Sequence, residues 1–248
     1  MTTILEARRV ESSHQDYVND IRYDYYGKRL ATCSSDQTVL VRDLNEDGQW
    51  VVKEGGSWKQ AHQGVIWKLA WAHPEFGQVL ASCSSDRTIK IWEEQEGLQT
   101  EEGPGPSRWH PKAQLSDSRK PVLDIEFAPR HLGLKIAAGS ADGHVRIYDA
   151  LDVMNLSFFP LQEAFEAGGG GVTCLSWSKS SFDPPMIAVG TEKGKVQIWR
   201  FDGASRKWLK ALDLQDHGTK SVSDVDWAPN MGRSYHLVAS CGMDGHIR

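Results

Sequence analysis

A pattern of hydrophobic and polar positions recurs five times along the chain. Each copy has an apolar pair with an aromatic residue, then a strand of small residues, a tight turn and a β-branched strand with period-two alternation. The tight turn falls at Asp36, Asp86, Asp142, Lys193 and Asp244. Strict alternation over short segments bounded by Gly, Asp, Asn and Ser predicts three β-strands in every copy.

The segments between the copies have room for a fourth strand. Candidates lie near residues 49–58, 107–115, 157–166 and 207–214. Four-stranded units bury both faces only when their neighbours stack on them, so repetition around an axis predicts an all-β propeller. We expect one domain over residues 1–248, with repeats at about 14–58, 62–115, 118–166, 168–214 and an incomplete 217–248.

The second copy has His62, Ser82, Asp86 and Trp92, which resemble the side-chain tetrad of WD40 repeats. In this tetrad a turn Asp, a loop His, a strand hydroxyl and an indole N–H satisfy one another's hydrogen bonds in a buried place. His62 beside Asp86 also has the composition of an acid–base pair. Both residues occupy repeat positions with counterparts in other copies, however, which favours a structural role and predicts no catalytic residue.

The other copies depart from this tetrad. The first has His14, Thr32 and Asp36 but carries Arg42 in the Trp position. In the third copy Tyr148 stands there and no loop His is apparent. The fourth has Lys193 at the turn, where the neighbouring Glu192 could substitute.

Three of the four cysteines share one register, three residues before the turn: Cys33, Cys83 and Cys241. Gly139 and Gly190 hold this position in the other copies, so the site requires a small residue. Equivalent positions on different blades lie too far apart for a disulfide. We therefore expect packed free thiols, and the chain has no close CxxC pair for a zinc site.

The ten tryptophans fall into two classes. One class occupies the aromatic position of the first strand, where we expect blade core, and its members with their aromatic counterparts are Trp71, Trp177, Trp227, Tyr23 and Phe127. The other class lies outside that register and contains candidate exposed anchors for an interface, Trp67, Trp109 and Trp208.

Composition and local sequence features bear on which classes of ligand and which cellular location are possible. The 28 basic and 33 acidic residues leave a formal net charge of −5, which argues against direct binding to nucleic acid. The N-terminal residues lack a signal peptide, and no apolar run approaches a transmembrane span. The glycines at 168–171 lack the GK[ST] of a phosphate-binding loop, so no cofactor is indicated. The polar stretch 93–108 has the composition of a solvated loop, and it is a candidate docking or modification site.

Three stretches resemble one WD40 family in particular. They are WAHPEFGQVLASCSSDRT, FAPRHLGLKIAAGSADGHVRIYDALDVMNLS and WAPNMGRSYHLVAS, at residues 71–88, 127–157 and 227–240. Together they resemble the Seh-type scaffold nucleoporins of the Y-shaped nuclear pore complex, over nearly the whole chain. The related Sec-type WD40 subunit of the outer COPII coat matches the YDALDVMNLS stretch less well and is the alternative.

The resemblance implies an open six-bladed propeller, with about five blades in this sequence. It also implies that a helical-solenoid scaffold nucleoporin donates a further blade in trans, and that other Y-complex subunits are partners. The implied roles are mRNA export and protein import at the nuclear pore and nuclear envelope. Members of the family also join a vacuolar or lysosomal coat complex that signals amino-acid supply. A metabolite-binding enzyme or sensor using the central channel is the competing class.

The final residue, Arg248, falls inside the third strand of the fifth copy. The family pattern continues through the rest of that strand and a further blade, so we expect a truncated sequence. Residues 4–10 could supply a strand to the last blade of a closed ring.

Overall fold

The computed structural model describes residues 10–95, 99–100, 103–104, 108–168 and 170–248. This part of the chain consists of β-strands and turns with two short 3₁₀ helices, Pro74–Phe76 and Arg130–Leu132. Four antiparallel sheets of four strands and one sheet of two strands follow the order of the five sequence repeats. The predicted all-β propeller is therefore confirmed.

The first two blades each have four strands, but blade two has a 3₁₀ helix between its first two strands and a longer connection before its last strand. Blade one is made of β1 to β4, which are Val18–Tyr23, Arg29–Ser34, Val39–Leu44 and Trp50–Trp58. Blade two is made of β5, β6, β7 and β10, which are Ile66–Trp71, Val79–Ser84, Ile89–Gln95 and Arg108–Leu115. Two-residue strands β8 and β9 pair within that connection, at Gln99–Thr100 and Gly103–Pro104.

The remaining blades continue the pattern. Blade three has β11 to β14, at Val122–Phe127, Lys135–Ser140, His144–Asp149 and Leu161–Glu166. Blade four has β15 to β18, at Val172–Trp177, Met186–Thr191, Val196–Asp202 and Lys207–Asp213. Blade five has β19 and β20, at Val222–Trp227 and Val238–Gly242, with a single bridge from Cys241 to Ile247.

All four predicted outer strands are present. The one in blade three begins at Leu161 and not near residue 157. Turns precede it, because Asp152 accepts a hydrogen bond from the Met154 N–H and Asn155 accepts one from the Ser157 N–H. Such local side-chain bonds compete with strand pairing.

Every first strand carries a β-bulge at the same place. The register shifts between Val18 and Asp20 in blade one, and at the matching positions of the other four blades. A bulge sharpens the local twist and redirects side chains. The repeated bulge gives the inner strands a common geometry around the channel.

The hydrophobic core lies between blades. Four buried clusters each join residues of two successive blades, for example Val41 of blade one with Leu69 and Trp92 of blade two. The first strands contact one another in the order β1, β5, β11, β15 and β19. Within the described residues no comparable packing joins β1 to β19, so these five blades do not close into a ring.

Candidate functional site: polar tetrads and the open face of blade one

The tetrad of blade two is assembled in the structure. His62 Nδ1 lies 2.9 Å from Asp86 Oδ2, and His62 Nε2 lies 2.7 Å from Ser82 Oγ. The Trp92 Nε1–H donates to the same Ser82 Oγ at 2.9 Å. Asp86 also accepts from the Gln63 N–H. With His62, Ser82 and Trp92 buried, this network satisfies polar atoms that water does not reach.

The charge state of Asp86 follows from these contacts. Burial by itself would raise its pKa, but hydrogen bonds from His62 and Thr88 outweigh burial and lower the pKa well below its ordinary value. The carboxylate is therefore ionised and fully engaged as an acceptor. We infer a structural role for this group.

Blade five contains a second such network that the sequence patterns did not reveal. His217 Nδ1 lies 2.8 Å from Asp244 Oδ1, and His217 Nε2 lies 3.0 Å from Ser240 Oγ. Arg248 donates to Asp244 Oδ2 at 2.6 Å. The longer loop between His217 and its turn hides the His from a fixed-spacing search.

In blade three an arginine takes the place of the missing histidine. Arg146 Nη2 donates to Asp142 Oδ2 at 2.7 Å, while Nη1 donates to Ser140 Oγ at 2.9 Å and to Ser118 Oγ at 3.2 Å. A cation four residues after the turn Asp, present also as Arg248, is the signal that could have revealed it. Arg146 keeps the buried carboxylate paired.

Blades one and four show weaker versions. In blade one, His14 contacts the hydroxyls of Thr32 and Thr38 at 2.9 and 2.7 Å, and Arg42 donates to Thr32 Oγ1 at 3.1 Å. Asp36 accepts from the Gln15 N–H at 2.7 Å. In blade four, Glu192 substitutes for the turn Asp through one long bond of 3.4 Å, from the Gly171 N–H.

All four cysteines are free thiols. Burial raises the pKa of Cys33, Cys83 and Cys174. Thiols held in the protonated form are poor nucleophiles, so these residues have the character of packing groups. In the described residues, His, Cys, Asp and Glu form no group of three or more that could hold a metal ion.

The tryptophan assignments need correction. Trp109 is only 8% exposed and stacks on Trp58, and Trp208 is only 6% exposed and stacks on Phe165. Both lie on outer strands whose inward side packs between blades, so the prediction of exposed anchors is wrong for them. Trp67 is 37% exposed and remains a candidate.

Tyr23 also differs from the prediction of blade core. Its side chain is 60% exposed, whereas Trp177 and Trp227, in the same register of blades four and five, are 1% and 2% exposed. Ile21 is 56% exposed, and its counterpart Leu69 in blade two is 1% exposed. In blades two to five, these positions are covered by the preceding blade. Among the described residues no blade covers them in blade one, where only the segment Val10 to Ser12 borders Val18 and Ile21.

This uncovered surface is the candidate functional site, and we call it the open face of blade one. It comprises Val18, Ile21 and Tyr23 on β1. Contiguous apolar side chains of this kind mark interaction sites, because water contact with them is unfavourable.

The central channel, bounded by the first strands, is strongly charged. It holds a cavity of about 470 Å³ lined by residues that include Arg22, Asp124, Glu126, Lys179 and Asp226. Burial raises the pKa of Asp124 to about 6 and that of Glu126 to about 7. Both carboxylates accept backbone hydrogen bonds, from Leu175 and Trp177 respectively.

Comparison with known proteins agrees with this architecture. The WD40 family (WD domain, G-beta repeat) matches residues 6–43, 55–93, 109–149, 160–200 and 209–248. Nucleoporin SEH1 of Danio rerio is 46% identical across 97% of this chain and 67% of its own length. Nucleoporin SEH1 of Homo sapiens and nucleoporin SEH1-A of Xenopus laevis are each 46% identical across 97% of this chain and 68% of their own length.

Neither of the two short helices in the described residues could span a membrane.

The chain spans about two thirds of the length of the nucleoporin SEH1 relatives. Five repeat matches and this level of identity along nearly the whole chain place it within one group. The chain belongs to the WD40 repeat family and, within it, to the nucleoporin SEH1 family.

Proposed function

We propose that this nucleoporin is a scaffold subunit of the outer ring of the nuclear pore complex, and that a blade from a second polypeptide completes its propeller. The observation that carries the proposal is the contrast between Ile21, 56% exposed, and its buried counterpart Leu69. A blade seated against β1 would bury the open face as blade one buries Leu69. The gain is apolar area removed from water, worth about 25 cal/mol per Å².

The proposed donor is a helical-solenoid scaffold nucleoporin, which the family resemblance implies. Insertion of a whole blade would bury more than the ~2,000 Å² above which obligate interfaces are found. Such a complex would be permanent and would also contact other subunits of the Y-shaped complex. Trp67, exposed on blade two, is a candidate contact for one of these.

The proposed role is mechanical and not catalytic. The turn carboxylates Asp36, Asp86, Asp142 and Asp244 are all engaged in hydrogen bonds. As a scaffold the protein would support mRNA export and protein import without binding nucleic acid directly. The proposal includes a second location, in a vacuolar or lysosomal coat that signals amino-acid supply. It also includes use of residues 93–108 as a docking or modification site. Much of that stretch lies outside the described residues.

Vesicle-coat assembly is the alternative function. Affinity purification of a tagged copy distinguishes the two, because the recovered chains would be nucleoporins in one case and COPII coat subunits in the other. Recovery of coat subunits alone would contradict the nuclear pore assignment.

Co-expression tests the trans blade. The tagged chain is produced with the N-terminal segment of the helical-solenoid partner, and with a form lacking only its blade-forming strands. We expect a stoichiometric complex in the first case and none in the second. A stable complex without those strands would show that another surface is used.

A matched pair of variants localises the contact. Ile21→Asp places a charge on the open face and should abolish the complex, since an unpaired buried charge is strongly unfavourable. Phe182→Asp alters a side chain that is 92% exposed, in the loop between β15 and β16, and should leave the complex intact. Equal binding by both variants would exclude the open face as the contact.

A further inference from the structure

The connection between β13 and β14 of blade three is longer and more apolar than its counterparts in blades one and four. It covers residues 150–160, with the sequence ALDVMNLSFFP. Blades one and four make the same connection with residues 45–49 and 203–206, which read NEDGQ and GASR. Small and polar residues suffice to turn the chain back. The apolar residues of the blade three loop therefore need another explanation.

Packing explains two of these apolar residues. Leu156 and Phe159 are buried and belong to the core cluster between blades two and three. The backbone before them is held by local hydrogen bonds, because Asp152 Oδ1 accepts from the Met154 N–H at 2.9 Å and the Asp152 carbonyl accepts from the Asn155 N–H at 3.1 Å. The loop is thus anchored, and it presents its other side chains on an ordered backbone.

The remaining large apolar residues of the loop are exposed to solvent. Met154 is 90% exposed, Leu151 73%, Phe158 58% and Val153 43%. Single exposed apolar residues are common on protein surfaces, but four of them within residues 151–158 concentrate apolar area in one place. We call these four residues the blade three patch.

The blade three patch lies on a blade that has a neighbour on each side. One buried cluster joins blade three to blade two, and another joins it to blade four. Exposed loop residues of blades one and five, such as Tyr26 and Met231, have a neighbouring blade on one side only within the described residues. A further blade at the edge of the propeller would therefore not cover the blade three patch.

The charge of the loop indicates what kind of surface can cover the patch. Asp152 carries the only charge in residues 150–160 and is exposed. Segments that bind anionic membranes combine apolar residues with lysine or arginine, and this loop has neither base. An exposed carboxylate would be repelled by anionic lipid but would attract a base on another protein. Charge complementarity therefore favours a protein surface over a membrane.

We propose that the blade three patch docks in an apolar cleft of another protein, with Leu151 and Met154 as anchors and a lysine or arginine of that protein opposite Asp152. The flexible methionine side chain can adapt to the shape of the cleft. Because the loop is already ordered, binding costs little conformational entropy of its backbone. This interface is distinct from the open face of blade one, so it can form whether or not a second polypeptide completes the propeller.

Photo-cross-linking at the patch identifies the partner. Met154→p-benzoylphenylalanine is introduced into the tagged full chain in cells, and the attached molecule is identified by mass spectrometry. We expect a segment of another protein that contains apolar residues and a nearby Lys or Arg. The same substitution at Phe182, an equally exposed site in blade four, is the control and should not capture that segment. Lipid adducts alone, cross-links to a second copy of this chain, or the same products from both sites would overturn the proposal.

Variants of the full chain then test the contact with the identified protein. Changing Leu151 and Met154 together to Asp should weaken binding at least about tenfold, since both anchors are lost. Asp152→Asn keeps an acceptor for the Met154 N–H but removes the charge, so binding should weaken severalfold and depend less on salt.

Phe182→Asp is the matched control and should bind as the wild type does. The changed side chains are exposed, so the melting temperature should stay the same in every variant. If the double Asp variant melts at a lower temperature, Met154→Ser replaces it and should still weaken binding severalfold. Wild-type affinity in the anchor variant, or an equal loss of affinity in Phe182→Asp, would refute docking through the blade three patch.

Discussion

His62 Nδ1 lies 2.9 Å from Asp86 Oδ2, and this contact joins the loop that enters blade two to the turn between β6 and β7. The imidazole ring of His62 is buried, so water does not reach its side of this contact. Removing one partner would leave the other without its hydrogen bond in a buried place. The contact therefore ties blade integrity to one carboxylate.

Asp86→Ala should destabilise the protein by about 1–3 kcal/mol, because His62 and the Gln63 and Thr88 N–H groups lose their acceptor. The denaturation midpoint in urea measures this. Lys193→Ala, at the equivalent turn position of blade four, is the control, since Lys193 is exposed there. It should change stability by less than about 0.5 kcal/mol. Equal midpoints for Asp86→Ala and wild type would refute the role of the tetrad.

Glu126 makes stability depend on pH in a defined direction. Burial raises its pKa from 4.5 to about 7, so between these values the folded state holds a proton that the unfolded state has lost. The raised pKa of Glu126 therefore adds to the free energy of unfolding below pH 4.5, and this contribution is lost as the pH rises to about 7.

Glu126→Gln keeps an acceptor for the Trp177 N–H but cannot ionise. We expect its urea midpoint to exceed that of the wild type more at pH 8 than at pH 5. A constant difference between the two proteins across this range would contradict the raised pKa.

Gly190 occupies the small-residue position between blades four and five. A Cβ atom there would lie 2.4 Å from Cys174 Sγ and 2.8 Å from a methyl carbon of Val222. Gly190→Ala should therefore cost about 1–3 kcal/mol by overpacking. Gly203→Ala, where a Cβ atom would meet nothing within 4 Å, should leave the melting temperature unchanged or slightly raised. If the two substitutions have the same effect, the close packing between these blades is misassigned.

Leu69 and Ile21 form a matched pair for the open ring. Leu69→Ala removes a buried side chain and should cost about 2–5 kcal/mol in the isolated chain. Ile21→Ala removes an exposed one and should cost less than about 0.5 kcal/mol there. In the complex with the partner, Ile21→Ala should become destabilising as well. A large effect of Ile21→Ala in the isolated chain would mean that its own residues cover the face.

The repeating strands could be predicted from sequence because their alternation and turn residues are local. Burial between blades could be predicted only where the first-strand register applies, as for Trp177 and Trp227, which are buried as expected. Trp109 and Trp208 lie outside the first-strand register, which says nothing of the outer strands, and both pack inward. Tyr23 follows the register of Trp177 but is exposed, because its environment depends on a neighbouring blade and not on its own strand.

The polar networks at the turns could also be predicted only in part. His62 was recognisable because its whole tetrad is present at familiar spacing. His217 and Arg146 were missed, the first because loop length changes freely at little energetic cost, and the second because a guanidinium reaches the turn Asp from a different strand position. Residues 4–10, suggested as a closing strand, lie outside the described range except for Val10.

Hydrogen–deuterium exchange of β1 tests the open ring most directly. Exchange at Ile21 and Tyr23 is measured in the isolated chain and in the complex recovered from cells, with the equivalent amides of Leu175 and Trp177 as an internal reference. The account predicts rapid exchange at Ile21 and Tyr23 in the isolated chain and slow exchange in the complex, while the reference amides remain slow in both. Exchange at Ile21 and Tyr23 that is already slow in the isolated chain, or equally rapid in the complex, would contradict completion of the propeller by a second polypeptide.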